Sequence, residues 1–206
     1  DYMSQGLLYI ISAASGTGKT SLVKALVGDE HGIQLSISYT TRKSREAEVE
    51  GKDYYFTDEK QFQQMVKQQA FLEHAHVYGN YYGTSVEKLN EKLNAGIDVI
   101  LEIDWQGADQ VRKRINNSRS IFILPPSVDA LRERLESRGQ DSQQIIDGRM
   151  ETAIKEMMHY YNFDYLVIND QFENALNDLK SIVRENQLQT NHQRLNNNEI
   201  IKNLGI

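Results

Sequence analysis

The octapeptide Ala13-Ala14-Ser15-Gly16-Thr17-Gly18-Lys19-Thr20 constrains the fold more than any other feature of this 206-residue chain. It follows directly on an apolar run at residues 7–12 and opens a helix-length stretch at residues 19–27. A strand that ends in a glycine-bearing turn and continues as a helix is the setting of a phosphate-binding loop. Glycines let successive backbone N–H groups turn inward at a helix start, where the helix dipole also favours negative charge. In such a loop Lys19 reaches the β- and γ-phosphates of a nucleoside triphosphate, and the Thr20 hydroxyl, with waters, binds Mg²⁺. The pattern G-x-x-x-x-G-K-[ST] has Ala13 where its first glycine belongs, so that position needs an ordinary backbone conformation.

Five short runs read as buried strands: residues 7–12, 34–38, 99–104, 120–124 and 165–169. Several are almost continuously apolar and rich in Ile, Leu and Val, which suits a parallel sheet covered on both faces. Helix-length stretches lie at 19–27, 85–94, 107–115, 127–137, 142–160 and 171–189. This alternation predicts an α/β fold, the three-layer arrangement of P-loop NTPases with a parallel core sheet. Pro125-Pro126 stop the fourth strand, and Ser127 supplies an N-cap for the helix after them. Two regions break the pattern. Residues 38–88 are polar and Tyr-rich, with strand-like pieces such as Tyr54-Tyr55-Phe56, and residues 127–156 are Arg-rich around a soft centre at Gly139-Gln140-Asp141. Both read as insertions into the connections of the sheet. The expected organisation is core at 1–37, an insertion at 38–88, core at 89–126, a second insertion at 127–156, and core with a C-terminal helix at 157–206. The Gln- and Asn-rich stretch 187–198 is expected to end a helix or fray.

Composition narrows the function. There are no cysteines, which excludes disulfides and Cys-based zinc sites. No segment approaches the roughly 20 apolar residues needed to cross a bilayer, and residues 1–5 lack the basic start of a secretory signal. Met3 is a candidate start, and a cytoplasmic location with no membrane partner is the expectation. A net charge of −6 argues against a general nucleic-acid binder. An anionic small molecule remains compatible, because positive charge is concentrated at Arg42, Lys43 and Arg45 and again at Arg132, Arg134 and Arg138.

The acidic end of the third strand is a second anchor. Glu102 and Asp104 are two apart, so in a strand both point to one face, at the end where open parallel sheets bind ligands. The pair serves either a base edge or magnesium-bound water. Arg134 and Arg138, four apart, share a helix face, and Arg149 lies on the helix that follows. Glu73 has a competing reading as an exposed helix acid, and Tyr54 and Tyr82 as packing residues. His74 and His76 share a strand face, but no further ligand stands at metal spacing.

The loop specifies a nucleoside triphosphate, not a reaction. Beyond it, an ordered series resembles the guanylate kinase family: Ser38-Tyr39-Thr40-Thr41-Arg42, Val49-Glu50-Gly51-Lys52-Asp53-Tyr54-Tyr55-Phe56, Phe71-Leu72-Glu73-His74-Ala75, Gly79-Asn80-Tyr81-Tyr82-Gly83-Thr84, Glu102-Ile103-Asp104-Trp105-Gln106-Gly107, Pro125-Pro126-Ser127 and Arg138-Gly139. The resemblance covers about residues 6–170. It implies a core, a GMP-binding insertion and a mobile helical lid. Residues 13–20 with Arg134 and Arg138 would then bind ATP. Ser38, Arg42, Arg45, Tyr54 and Tyr82 match positions that hold the GMP phosphate, and Glu73, Thr84 and Asp104 match positions that read guanine. Lys19, Arg42, Arg138 and Arg149 are the expected catalytic set. The implied activity is transfer of the γ-phosphoryl group of ATP to GMP, and to dGMP, with Mg²⁺ held at Thr20. ATP and GMP are the expected partners, with no protein partner indicated. Two departures stand beside these matches. The family usually has Pro-Gly after Arg45 where this chain has Glu46-Ala47, and Gly148 sits inside a helical stretch. The alternative is a guanylate-kinase-like module that binds phosphopeptides, but such modules typically lose the loop residues kept here as Gly16, Gly18, Lys19 and Thr20.

Overall fold

The computed structural model describes residues 6–77, 79–137 and 142–205. In chain order the elements begin β1 (Leu8–Ala13), α1 (Lys19–Asp29), β2 (Ile33–Leu35), β3 (Tyr39–Thr40), β4 (Tyr55–Phe56), α2 (Glu59–Lys67), β5 (Phe71–Val77) and β6 (Asn80–Ser85). They continue with α3 (Val86–Asn94), β7 (Asp98–Glu102), α4 (Trp105–Arg114), β8 (Ser118–Leu124), α5 (Val128–Glu136) and α6 (Gln143–Met157). A 3₁₀ turn at Met158–Asn162, β9 (Tyr165–Ile168), α7 (Phe172–Gln187), α8 (Thr190–Asn196) and α9 (Asn198–Asn203) complete the chain.

The expected three layers are present. Five strands in the order β2-β7-β1-β8-β9 pair in parallel throughout, with Ile10 of β1 between Leu101 and Ser120. Alternation along β1 sends its side chains to two cores. Tyr9 and Ile11 pack with Leu22, Val23 and Leu26 of α1 and Leu176, Leu179 and Val183 of α7. Leu8 and Ile10 pack on the other face with Leu89 and Leu93 of α3 and Ala108 and Val111 of α4. Each such fully buried aliphatic side chain contributes about 1.5–3 kcal/mol. The central strand is therefore held from both sides, and its C-terminal end is a stable platform for the loop that follows.

Residues 39–85 form a separate four-stranded sheet in the order β4-β3-β6-β5, closed by the β5–β6 hairpin. Phe62 of α2 is fully buried beneath it, stacked 4.6 Å from Phe71 and 5.5 Å from Tyr81. This helix was not expected from the polar composition of the region, yet its signals are local. Asp58 caps it by accepting from the Gln61 amide, and Phe62 and Val66 are four apart. α4 fixes the inserted sheet against the core: Gln110 accepts from the His74 amide and donates to its carbonyl, and Arg114 donates to the Phe71 and Leu72 carbonyls. The residue between those anchors is Glu73. At the other end, α5 and α6 pack on each other and on Ala14 through Leu131, Leu135, Ile146, Met150 and Ala153.

Element ends differ from the sequence reading in two consequential places. β7 stops at Glu102, and Asp104 is the N-cap of α4, accepting from the Gly107 amide at 2.9 Å. The expected shared strand face of Glu102 and Asp104 is thus replaced by a strand tip followed by a helix cap. The 187–198 region forms the end of α7 and the helix α8. Ser127 does cap α5 as expected, through the Ala130 amide.

Candidate active site

The loop after β1 is shaped by its glycines. Gly16 and Gly18 take φ of 89° and 91°, the left-handed region that side chains resist. A Cβ on Gly18 would lie 2.6 Å from the Asn169 side chain, and one on Gly16 would lie 2.9 Å from Leu131 and Leu135 of α5. Ala13, the departure from the glycine pattern, sits in strand conformation at the end of β1, so its methyl group costs nothing there. Asn169, just past β9, donates to the Thr17 carbonyl at 2.6 Å, and Arg134 donates to the Thr17 and Asn169 carbonyls. The ends of β1 and β9 and the helix α5 therefore clamp one turn of backbone.

Around that turn, residues 13–21 line a cleft with Val77, Asp104 and Glu156. A second cleft is lined by Lys19, Ser36, Ser38, Tyr54, Glu73, Tyr82, Glu102 and Asp104, among others. The two clefts share Lys19, Val77 and Asp104. Five of the eight residues expected to hold the acceptor nucleotide (Ser38, Tyr54, Glu73, Tyr82 and Asp104) thus line one cleft, which shares Lys19 with the phosphate loop.

Glu73 is the chemical centre of the second cleft. It stands on β5, not on a helix surface, and is 2% exposed. Burial pushes its carboxyl up to about 7, and the nearby Asp104 charge adds to this against hydrogen bonds from the Thr84 hydroxyl and amide. Thr84 donates to Oε1 at 2.6 Å. Oε2 faces Gly107 so closely that a Cβ there would sit 2.5 Å away. A glycine in the first turn of α4 is unfavourable for the helix by about 1 kcal/mol, and room for this carboxylate is what it provides.

Arg42 and Arg45 are not among the residues that line the two clefts, although Arg42 stands behind the wall at Tyr54. Arg42 donates through Nη2 to both Glu48 oxygens at 2.7 and 2.9 Å and lies 5.3 Å above the Tyr54 ring. The Arg45 amide donates to the same carboxylate at 2.8 Å, while its side chain is exposed. The Arg42 hydrogen bonds hold the Glu48 carboxyl below the usual range. Glu48 is a residue that sequence reasoning missed, because its role depends on a fold-back of the loop rather than on any motif. Gln110, Arg114 and Asn169 were missed because each acts through a contact with a segment distant in sequence, and Gly107, though part of a quoted segment, was assigned no role of its own.

At the mouth of the phosphate loop the Thr20 hydroxyl donates to Glu102 Oε1, and Lys19 Nζ lies 3.7 Å from that oxygen. Among the described residues no group of three or more His, Cys, Asp and Glu is placed to hold a metal, and His74 and His76 are exposed. Arg149 lies on α6, half-buried. α5 ends at Glu136 and Arg138 lies outside the described residues, as does the centre at 139–141, so helix spacing from Arg134 does not place it. No helix among the described residues is long and apolar enough to cross a membrane.

Comparison with known proteins agrees with this geometry. A family model described as guanylate kinase matches residues 5–186. The chain is 55% identical to a guanylate kinase of Pseudomonas fluorescens (strain Pf0-1) over 201 residues, 98% of each chain. It is 52% identical to one of Buchnera aphidicola subsp. Schizaphis graminum, covering 98% of this chain and 99% of that one. A crystal structure of guanylate kinase from Anaplasma phagocytophilum superposes with a TM-score of 0.75 at 32% identity, covering 91% of this chain and 89% of that one.

Proposed function

Because the chain belongs to the guanylate kinase family, we infer that it transfers the γ-phosphoryl group of ATP to GMP, giving ADP and GDP, and we propose how its residues divide that work. The observation that carries the proposal is the junction of the two clefts at Lys19 and Asp104. A donor phosphate in the loop and an acceptor phosphate in the second cleft meet there. Phosphoryl transfer demands little more than in-line positioning and neutralised charge.

The loop amides and Lys19 hold the β- and γ-phosphates of ATP. Thr20 and Glu102 bring a hydroxyl and a carboxylate oxygen together at the loop mouth, a hard-oxygen pair that suits Mg²⁺, which takes few protein ligands besides phosphate and water. When bound, Mg²⁺ supplies neutralisation of the phosphate charge. Ser38, Tyr54 and Tyr82 donate to the GMP phosphate, and Arg42, held in place by Glu48, and Arg45 turn toward it as guanidinium donors. That phosphate is already anionic, so no strong general base is required.

Glu73 reads the base. An ionised carboxylate accepts from both N1–H and the exocyclic amine of guanine, whereas adenine has no N1 donor and would leave a buried acceptor facing an acceptor. Thr84 fixes the orientation of that carboxylate, and Asp104 adds an acceptor beside it. dGMP, with the same base and phosphate, is the expected second substrate. The region of α5 and α6 acts as a lid whose closure brings Arg138 and Arg149 to the transferring group and excludes water. A phosphopeptide-binding role is not favoured, since the loop keeps Gly16, Gly18, Lys19 and Thr20 in a formed cleft.

The test is a coupled ADP-release assay with ATP, Mg²⁺ and each of GMP, AMP, CMP and UMP. Turnover with GMP far above the other three is expected. Equal or greater turnover with another monophosphate would overturn the reading of Glu73, and GMP binding without any turnover would overturn the division of labour at Lys19.

A further inference from the structure

The carboxylate of Glu156 serves none of the roles above, yet it stands in the donor cleft. It projects from α6 into the space lined by residues 13–21, beside Lys19 and Asp104. There it faces Ser15, whose amide is one of the loop donors that a phosphate would use. Its helix is held in this position twice. Met150 and Ala153 pack against Ala14 and α5, and three residues beyond Glu156 the His159 ring stacks on Trp105 with centroids 3.6 Å apart and planes 6° from parallel. Burial raises the Glu156 carboxyl above its usual range, Asp104 adds to that, and the Ser15 amide and Lys19 oppose it. An acid is thus kept, at some cost, in a cradle built for anions.

We propose that Glu156 is a phosphate surrogate, occupying the anion cradle of the loop while the donor site is empty and being expelled by the phosphates of ATP. The inference rests on the reading of this cleft as the ATP site. Two anions do not share one cradle at close range, because their repulsion in a partly dry cleft is large. The binding of ATP therefore displaces α6 at Glu156. Arg149 lies seven residues earlier on that helix, two turns away and on the same face, so the displaced element is the one that carries a cation for the transferring group. Glu156 acts as a positioning residue: it couples occupancy of the loop to the lid helix and sets the affinity for the donor, not for the acceptor.

The test uses Glu156→Gln in the full chain, which keeps the size of the side chain but removes its charge. Calorimetric titration with ATP and with inorganic pyrophosphate, without GMP, should show affinity about tenfold tighter than wild type for both. GMP affinity should be unchanged. Trp105 is the single tryptophan of the chain. Its emission should change when wild type binds ATP alone, as the His159 stack is disturbed, and should change less in Glu156→Gln. Unchanged or weaker ATP affinity in that variant overturns the surrogate role. So does silent Trp105 emission on ATP binding by wild type, a readout that needs no variant. Either result alongside normal GMP-dependent turnover overturns only this proposal, whereas a wild-type protein that binds no ATP overturns the donor-site reading as well.

Discussion

The donor cleft and the acceptor cleft meet at Lys19, Val77 and Asp104 but are built in opposite ways. The donor cleft is backbone: one turn between β1 and α1, shaped by Gly16 and Gly18 and clamped by Asn169 and Arg134. The acceptor cleft is side chains: Ser38, Tyr54, Glu73 and Tyr82, presented by a small sheet that touches the core through Gln110 and Arg114 of α4. A phosphate is a common ligand that backbone amides recognise generically. A purine base must be told from its relatives, which takes a carboxylate with a set orientation and protonation state. If this division is right, damage to one cleft should spare the other.

The largest effect is expected from Lys19→Met. Loss of the cation at the junction should lower kcat on the order of 10³-fold. GMP affinity by calorimetry should stay within about threefold, because Lys19 contributes only one edge of the acceptor cleft. A variant that lost GMP binding as well would break the separation between clefts.

Glu73→Gln is the complementary lesion. The amide presents a donor toward guanine N1–H, so kcat/KM for GMP should fall about 10²-fold with ATP affinity unchanged. The protonation state sharpens the test. Burial raises the Glu73 carboxyl from 4.5 to about 7, and guanine requires the ionised form. Below pH 7 GMP affinity should therefore weaken by up to tenfold per unit beyond the titration of the GMP phosphate, which Glu73→Gln shares. Folding stability should show the opposite face of the same shift. Between pH 4.5 and about 7 the folded protein holds a proton that the unfolded chain releases, so wild-type stability falls relative to Glu73→Gln as pH rises through that window. Parallel profiles for the two proteins would remove the carboxyl from both roles.

The same contrast explains what was legible in the sequence. The donor loop could be read from eight residues because its structure is local: a strand, a turn that needs left-handed glycines, and a helix start. The core layers were legible because burial on both faces leaves long apolar runs. The acceptor cleft was reached mainly through resemblance: the acidic strand end already pointed to Asp104, but Ser38 and Glu73 face it from an inserted region whose sheet pairing leaves little periodic trace. Glu48 shows why. Its value lies in accepting from Arg42 and from the Arg45 amide across a folded loop, and no spacing rule announces that. The helix α2 was not read either, although its signals, the Asp58 cap and the Phe62/Val66 pair, are local.

Two residues to which the sequence reading assigned no role of their own give intermediate predictions. Glu48→Gln should raise KM for GMP about tenfold with kcat within about twofold, because Arg42 loses its charged anchor but not its own contact with phosphate. Gly107→Ala should do similar harm by a different route. Its Cβ would stand 2.5 Å from Glu73 Oε2, forcing the carboxylate from the base-reading position. GMP discrimination over AMP should narrow in Gly107→Ala and not in Glu48→Gln, which separates base reading from phosphate positioning inside one cleft.

The smallest effect tests whether the lid belongs with the rigid cleft or the adaptable one. Gly148 lies inside α6, and nothing stands within 4 Å of where a Cβ would be. Gly148→Ala should therefore stabilise the fold by up to about 1 kcal/mol, from helix propensity alone, and raise Tm by about 2–4 °C. If α6 moves as a unit, pushed at Glu156, kcat should stay within about twofold of wild type. A clear fall in kcat with that same rise in Tm would mean that the helix bends at Gly148 during turnover. The lid would then resemble the acceptor cleft, adaptable at the expense of stability, rather than the over-determined loop it covers.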